Sequence, residues 1–424
     1  MRLRFSLITI ALISLASTWA LGQAARSPFA SYGLGEYYTP ALNQNLGMGG
    51  VGVSNFSFWY VNNQNPAALV FNRITSFQFG ILGEQRTQSS TANTDSEKSG
   101  SGNLNHITLA VPIKFSKWSV AVGLQPYTRL NYKLTFDQPV GTSGTSVSVT
   151  EQGSGGVNSA YISNGVAITD DISVGLKAAY LFSSTVNTFS NILASSTATI
   201  LPTVEETTYV RGFQFSPAVH IHLDSLFGKN YLFNVGVVYD FGTNLDSRFT
   251  LMQKRFNVAG RMVDSTTLIN SAAGKITLPQ SVAAGISFGN NYRWTVAVDG
   301  FYSNFSQYRS LDGTNPYQAN MWRLAGGFEL TPDPQSLTSY LKRATYRTGV
   351  SIENSPYLVN GAMVKDFGIT FGLSLPVSRS SSLDLGMKLG KKGDKATNTV
   401  EENYLKLYFG ITFNDQWFIK RRFD

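Results

Sequence analysis

About fourteen segments of this chain alternate apolar and polar residues with a period of two, as strands do when their two faces meet different surroundings. In the segment 118–127, Trp118 and every second residue to Leu124 are apolar, whereas Ser119 and every second residue to Gln125 are small or polar. No run of about 18 apolar residues follows residue 22, so the sequence predicts no membrane-spanning helix. One face of each strand suits lipid, and the other suits a crowded or polar interior.

The composition is unusual for a soluble protein. Charged residues make up 14% and aromatic residues 13%, and there are 39 glycines, whereas about a quarter of the residues of a typical soluble domain are charged. The basic residues behind the net charge of +8 are scattered, so the sequence does not support nucleic-acid binding. The absence of cysteine excludes a disulfide framework and a thiol nucleophile.

The gaps between the segments tend to alternate in length. Polar residues 87–102 follow the first segment, but only Ser116 and Lys117 separate the second from the third. Long loops at one end and short turns at the other are typical of outer-membrane barrels. A soluble sandwich is the alternative, but it gives no reason for such sorting. The sequence therefore predicts an all-β protein, a transmembrane antiparallel β-barrel of about 14 strands, in the cell outer membrane.

Two regions precede the first segment. Residues 1–22 combine Arg2 and Arg4 with an apolar run and small residues near a cleavage site, so we expect a signal peptide for the general secretory route. A short membrane anchor is the alternative. Residues 23–73 are rich in glycine, asparagine and aromatic residues, which favours a folded plug in the barrel lumen over a disordered leader. Residues 74–424 would form the barrel.

Several motifs resemble the FadL/TodX family of outer-membrane transporters for hydrophobic compounds, in a Bacteroidota-like form. A glycine-rich stretch, 47–54, precedes Asn65-Pro66-Ala67 just before the first strand, as it does in that family. Residues 278–288 and 346–356 resemble two later strands of the family. The resemblance covers most of the chain after residue 22, and it rests on the order and spacing of these motifs.

The resemblance implies a 14-stranded barrel with an N-terminal plug and passive uptake of hydrophobic small molecules, such as long-chain fatty acids or hydrocarbons. It assigns the plug and gate to Gly47, Gly49, Gly50, Asn65, Pro66 and Ala67. It also implies ligand capture between two extracellular loops, which we place at 188–207 and 245–277. The apolar candidates there are Ile192, Leu193, Ile200, Leu201, Leu251, Met252 and Phe256. The alternative is that these residues pack the loops together or continue strands beyond the membrane.

The sequence contains few of the motifs that enzymes use for catalysis or metal binding. His220 and His222 share a face of a predicted strand, but nothing nearby supplies a clear third metal ligand. No Gly-x-Ser-x-Gly elbow, Walker loop or dinucleotide fingerprint is present. We therefore predict no catalytic residue, no metal, no cofactor and no enzymatic activity.

Two functions remain open. The first is a plug-gated channel, whose partners are outer-membrane lipid, a hydrophobic small-molecule ligand and, during biogenesis, the barrel-assembly machinery. The alternative is a barrel subunit or scaffold of an outer-membrane assembly or secretion complex, partnered by other outer-membrane proteins. A channel needs a continuous apolar path, whereas a scaffold can have a sealed lumen.

Overall fold

The computed structural model describes residues 25–91, 96–140, 145–193, 200–224, 230–290, 293–378 and 380–415. The predicted signal peptide, residues 1–22, lies outside these ranges. Within them, no helix is both long and apolar enough to cross a membrane.

Fourteen strands form a single antiparallel sheet that closes on itself. Closure is made by the first and last strands, which pair from Thr75 with Asp415 to Ser90 with Val400. Four of the strands are interrupted by one or two residues. The strands are β1 Thr75–Ser90, β2 Glu97–Lys114, β3 Trp118–Pro126 and Thr128–Val140, β4 Thr145–Gly155 and Val157–Ala167, β5 Ile172–Leu193, β6 Ile200–Asp224, β7 Tyr231–Asp240 and Thr243–Asn257, β8 Met262–Leu278 and Ser281–Asn290, β9 Trp294–Ser303, β10 Met321–Leu330, β11 Thr345–Val359, β12 Ala362–Pro376, β13 Ser382–Gly393 and β14 Val400–Asp415.

The remaining regular elements are short. A two-residue strand, Glu36–Tyr37, precedes β1. The 3-10 helices are Pro28–Ser31, Pro66–Phe71 and Phe305–Gln307, and the single-turn α-helices are Asn43–Leu46, Tyr340–Arg343 and Lys395–Asn398. The predicted fold class is therefore confirmed.

The alternation seen in the sequence fixes which side of each strand faces lipid. On β14, Leu407 and Ile411 are each 46% exposed, whereas Tyr408 and Thr412 on the opposite face are nearly inaccessible at 5% and 1%. Successive side chains of a strand point to opposite faces, so the apolar set forms the outer surface. The inner surface is largely polar.

Several strands are longer than the sequence pattern predicts. The ranges 188–207 and 245–277, expected as loops, consist largely of strand, because β5 and β6 pair up to Ser190 and Thr203 and β7 pairs with β8 up to Phe256 and Met262. A tilted strand of about 9–11 residues crosses a bilayer, whereas β5 has 22 residues and β6 has 25. These strands continue beyond the membrane, and their polar sequence resembles that of loops.

A charge on the outer wall tests the assignment of the lipid-facing surface. Leu324 of β10 is 52% exposed and lies beside Gly300 in the middle of β9. We expect Leu324→Arg to lower the free energy of unfolding by about 2–4 kcal/mol, because the guanidinium would enter the apolar band. Reversible unfolding in lipid vesicles measures this, with Leu324→Met as a near-neutral control. Equal stability of the two variants would contradict the assignment.

Candidate functional site

Residues 25–73, here called the N-terminal segment, contact the inner wall around the barrel. The contacts occur at inward-facing glycines, because only a residue without Cβ lets two backbones approach so closely. A Cβ on Gly236 would lie 2.0 Å from the Val53 carbonyl oxygen, and one on Gly349 would lie 2.3 Å from the Met48 carbonyl carbon. Further contacts of this kind involve Gly165, Gly175, Gly327 and Gly372.

The predicted gate glycines lie in this contact zone. Gly49 and Gly50 have φ of 75° and 84°, in the left-handed region that favours glycine. The Gly49 amide donates to Thr370 Oγ1 at 2.7 Å, and the same hydroxyl donates to the Gly47 carbonyl at 3.0 Å. The structure thus brings Gly47 and Gly49 against β11 and β12, whereas Gly50 lies against Arg323 of β10, which donates to its carbonyl at 2.8 Å.

The Asn-Pro-Ala motif forms hydrogen bonds both within the N-terminal segment and with the wall. Asn65 caps the helix Pro66–Phe71 by accepting from the Ala67 amide at 2.9 Å, and its side-chain nitrogen donates to Val53 at 2.7 Å. Proline at the first helical position fits because its missing N–H would have no partner there. Ser173 of β5 donates to the Ala67 carbonyl at 2.9 Å.

Two wall aspartates hold the segment, and sequence reasoning missed both. Asp299 Oδ2 accepts from the amides of Gly52 and Val53 at 2.6 and 2.8 Å. Asp384 Oδ2 accepts from the Gln44 side chain at 2.8 Å. Their inward position on predicted strands is the one signal that the sequence carried for them.

A buried ion cluster also joins the segment to the wall. The Arg86 guanidinium of β1 contacts Glu36 at 2.8 Å, Glu84 at 2.9 Å and Glu402 at 2.9 Å. Burial alone would raise the pKa of the Glu36 carboxyl, but the attraction of Arg86 and Lys392 holds that pKa well below its usual range. Buried charges are stable only when they are paired in this way.

The wall is interrupted beside the segment. Pairing between β2 and β3 ends at Ile107 and Leu124. In the described chain, residues 97–106 of β2 pair with β1 alone. The second part of β3, Thr128–Val140, pairs with β4. The two strands separate where β3 breaks at Tyr127, so the barrel has a gap here in its hydrogen-bond ladder.

The N-terminal segment occupies this gap. Its strand Glu36–Tyr37 pairs with Arg129 and Thr128 of β3. The Ser27 amide donates to the Asn131 carbonyl at 2.9 Å. Between Thr128 and Asn131, the free edge of β3 is therefore paired with the segment and not with β2.

Two neighbouring cavities lie between the segment and the wall, and both contact Tyr37, Tyr38 and Arg323. One, of about 90 Å³, has ten charged side chains in its lining, including Arg86 and Lys388. The other, of about 130 Å³, is largely apolar and lies beside the break in β3. Its lining includes Pro40, Pro126, Val238, Phe301 and Phe305.

The predicted capture residues lie on the projecting strands. Leu201 pairs with Phe256, and Leu251 and Met252 pair with Glu206 and Glu205. Ile200 is exposed at the start of β6. Ile192 and Leu193 are at the end of β5, where the side chains lie outside the described residues. Ligand capture by this set stays a prediction.

The two strand histidines have structural partners. His220 Nε2 lies 3.0 Å from the Ser54 carbonyl, and His222 contacts Asn234 at 2.6 Å and Asp224 at 2.9 Å. Among the residues that the structure describes, no cluster of three or more His, Cys, Asp or Glu side chains could hold a metal ion.

The closed wall, its apolar outer surface and its polar interior define an outer-membrane β-barrel protein. A sequence profile of the BamG family matches residues 3–424, so the chain belongs to the BamG family. A search of curated protein sequences finds no match.

Solved structures of hydrophobic-compound channels share the fold. The toluene transporter TodX of P. putida is 15% identical, with a TM-score of 0.58 over 91% of this chain and 100% of that chain. CymD, a monoaromatic hydrocarbon channel, is 14% identical, with a TM-score of 0.54 over 89% and 98%. A FadL homologue of Pseudomonas aeruginosa is 12% identical, with a TM-score of 0.54 over 88% and 97%. The resemblance to FadL and TodX is thus confirmed for the fold, while the matching family is BamG.

Adding one methyl group tests the contact between segment and wall. We expect Gly349→Ala to lower the free energy of unfolding by about 1–3 kcal/mol and to speed proteolysis of the N-terminal segment, because its Cβ would overlap the Met48 backbone. Gly326→Ala is the control, since a Cβ there meets nothing within 4 Å. Equal proteolysis of both variants would exclude the contact.

Proposed function

We propose that this protein is a barrel subunit of the outer-membrane barrel-assembly machinery. The family profile spans nearly the whole chain, and the Bam name denotes that machinery. The structural observation that supports this role is the filled interior, where the N-terminal segment is bonded to wall strands that include β1, β5, β9, β12 and β14.

The ion cluster makes the described interior unsuitable as an open apolar path. A hydrophobic solute passing Arg86 would have to separate it from Glu36, Glu84 or Glu402, and breaking a buried ion pair costs about 3–5 kcal/mol. A scaffold has no such difficulty, because it needs only a rigid wall and exposed surfaces. The strands that project beyond the membrane supply such surfaces.

The mass of the particle after gentle detergent extraction from the native membrane tests this role. We expect a particle much larger than the 46.3 kDa chain, carrying stoichiometric outer-membrane partners that include an assembly barrel. Extraction in a harsher detergent, which separates subunits, is the control for stoichiometry. A monomeric particle without partners would contradict the proposal.

The second candidate is the plug-gated channel for hydrophobic small molecules, and the apolar cavity beside the wall gap favours it. Aromatic and aliphatic side chains in this cavity would hold a hydrocarbon chain, and Arg323 at its boundary would hold a carboxylate. In that role, Gly47, Gly49, Gly50 and Asn65-Pro66-Ala67 would position the gate, and the projecting strands would capture the ligand. The ligand would be a long-chain fatty acid or a hydrocarbon.

Filling the cavity tests the channel. We expect Val238→Trp to reduce uptake of a radiolabelled long-chain fatty acid into liposomes at least tenfold, because Val238 is buried and lines the cavity. Val237→Trp is the matched control, since Val237 faces lipid. Equal uptake by the two variants would exclude this cavity as the route.

Deleting residues 23–64 tests the plug. We expect the barrel to fold, because β1 pairs with β14 without the segment, and to become leakier to small solutes. Unchanged permeability in liposomes would contradict the plug assignment, whereas the mass of the extracted particle addresses the assembly role separately.

A further inference from the structure

A basic patch lies on the outer surface of β6, β7 and β8. Arg211 of β6 pairs with Asp246 of β7, and Asp246 pairs in turn with Lys275 of β8. Arg248 lies two residues beyond Asp246, on the same face of its strand. All four side chains are exposed. The patch therefore brings three cations and one carboxylate together on adjoining strands.

The buried neighbours fix the direction of these side chains. Val210, Leu245 and Ile276, each next in sequence to a member of the patch, are buried at 2%, 0% and 4%. Because successive side chains of a strand point to opposite faces, Arg211, Asp246 and Lys275 point away from the barrel interior.

The patch lies at the outer boundary of the lipid-facing band. On β6, the outward residues from Ile221 to Phe213 are apolar, and Arg211 is the next outward residue. That stretch rises by about 20 Å along the membrane normal at a strand tilt of about 40°, so the apolar band of about 25 Å is nearly crossed at Phe213. The Tyr180 and Phe213 rings, 5.1 Å apart, mark the aromatic girdle directly below Arg211.

This end of the barrel carries the projecting strands, and such extensions face the cell exterior in outer-membrane barrels. The patch therefore lies at the level of the lipid head groups in the outer leaflet.

Among the residues that the structure describes, no ion pair neutralises the cations of the patch. The described ion pairs on this part of the wall are Lys254 with Glu205 at 2.6 Å and Arg255 with Asp264 at 2.5 Å. Neither pair includes a residue of the patch. Three cations against Asp246 leave an excess of two positive charges, which favours an anionic ligand.

We propose that this patch binds the phosphate groups of a phosphorylated glycolipid in the outer leaflet. A guanidinium presents a planar fork of donors that matches a phosphate, and Arg211 and Arg248 supply two such forks. The acyl chains of the same lipid would lie on Phe213 and Phe241 below, which are 58% and 50% exposed. The patch is continuous with the lipid-facing surface, so a membrane lipid is favoured over a soluble anion.

Binding of detergent-dispersed, bisphosphorylated lipid A to the purified full-length barrel tests the proposal. We expect the triple variant Arg211→Gln, Arg248→Gln, Lys275→Gln to weaken binding by about 100-fold, because each lost basic charge near a lipid surface reduces affinity about fivefold and the three losses multiply. Arg211→Gln alone should weaken it about fivefold. Asp246→Asn should strengthen binding, since it removes the carboxylate that repels phosphate.

The matched control removes the same charge from the opposite end of the barrel. Lys114→Gln, Lys117→Gln, Arg293→Gln changes exposed basic residues near the short turns and should leave binding unchanged. The change in electrophoretic mobility on heating and the midpoint temperature of thermal unfolding show whether each variant is folded.

Four results would overturn the proposal. The first is wild-type affinity in the triple variant, and the second is equal loss of affinity in the control. The third is equal affinity for dephosphorylated lipid A. Competition by inorganic phosphate at equimolar concentration would also overturn it, because it would indicate a soluble-anion site. Binding that requires both phosphate and acyl chains supports the outer-leaflet lipid.

Discussion

Hydrogen bonding between β14 and β1 closes the sheet, and the rest of the structure depends on this closure. In lipid, no water can satisfy an exposed strand edge, so each backbone donor and acceptor in the wall needs a partner strand. The sixteen residues of β1 all pair with β14, from Thr75 to Ser90. Once the ring is closed, the period of two assigns every second residue either to lipid or to a confined interior.

Closure also explains the nature of that interior. Polar side chains that face inward cannot all be solvated in a narrow lumen, so they need partners from the chain itself. The N-terminal segment supplies them, for example through the amides of Gly52 and Val53 that bond to Asp299. The Arg86 cluster follows the same rule, because a buried cation is tolerated only beside carboxylates. The segment and the wall are therefore complementary in both shape and charge.

The gap between β2 and β3 is the exception to a continuous ladder. The segment compensates for it locally, since Glu36–Tyr37 pairs with β3 where β2 does not. An exposed edge invites pairing with another chain, and here a piece of the same chain takes that place. This arrangement gives the N-terminal segment a role in the wall as well as in the lumen. It also places an apolar cavity beside the gap, which either proposed function must accommodate.

The sequence by itself determined the fold class, the number of strands and the lipid-facing side of each strand. Alternation of apolar and polar residues is a property of each segment alone and does not depend on how that segment pairs with its neighbours. Only the tertiary structure decided that Glu36 meets Arg86 and Glu402, that β2 leaves β3 at Ile107, and that Arg211 adjoins Asp246 and Lys275. These contacts join residues from distant parts of the chain. They depend on strand register and barrel closure, which alternation within a single segment does not specify.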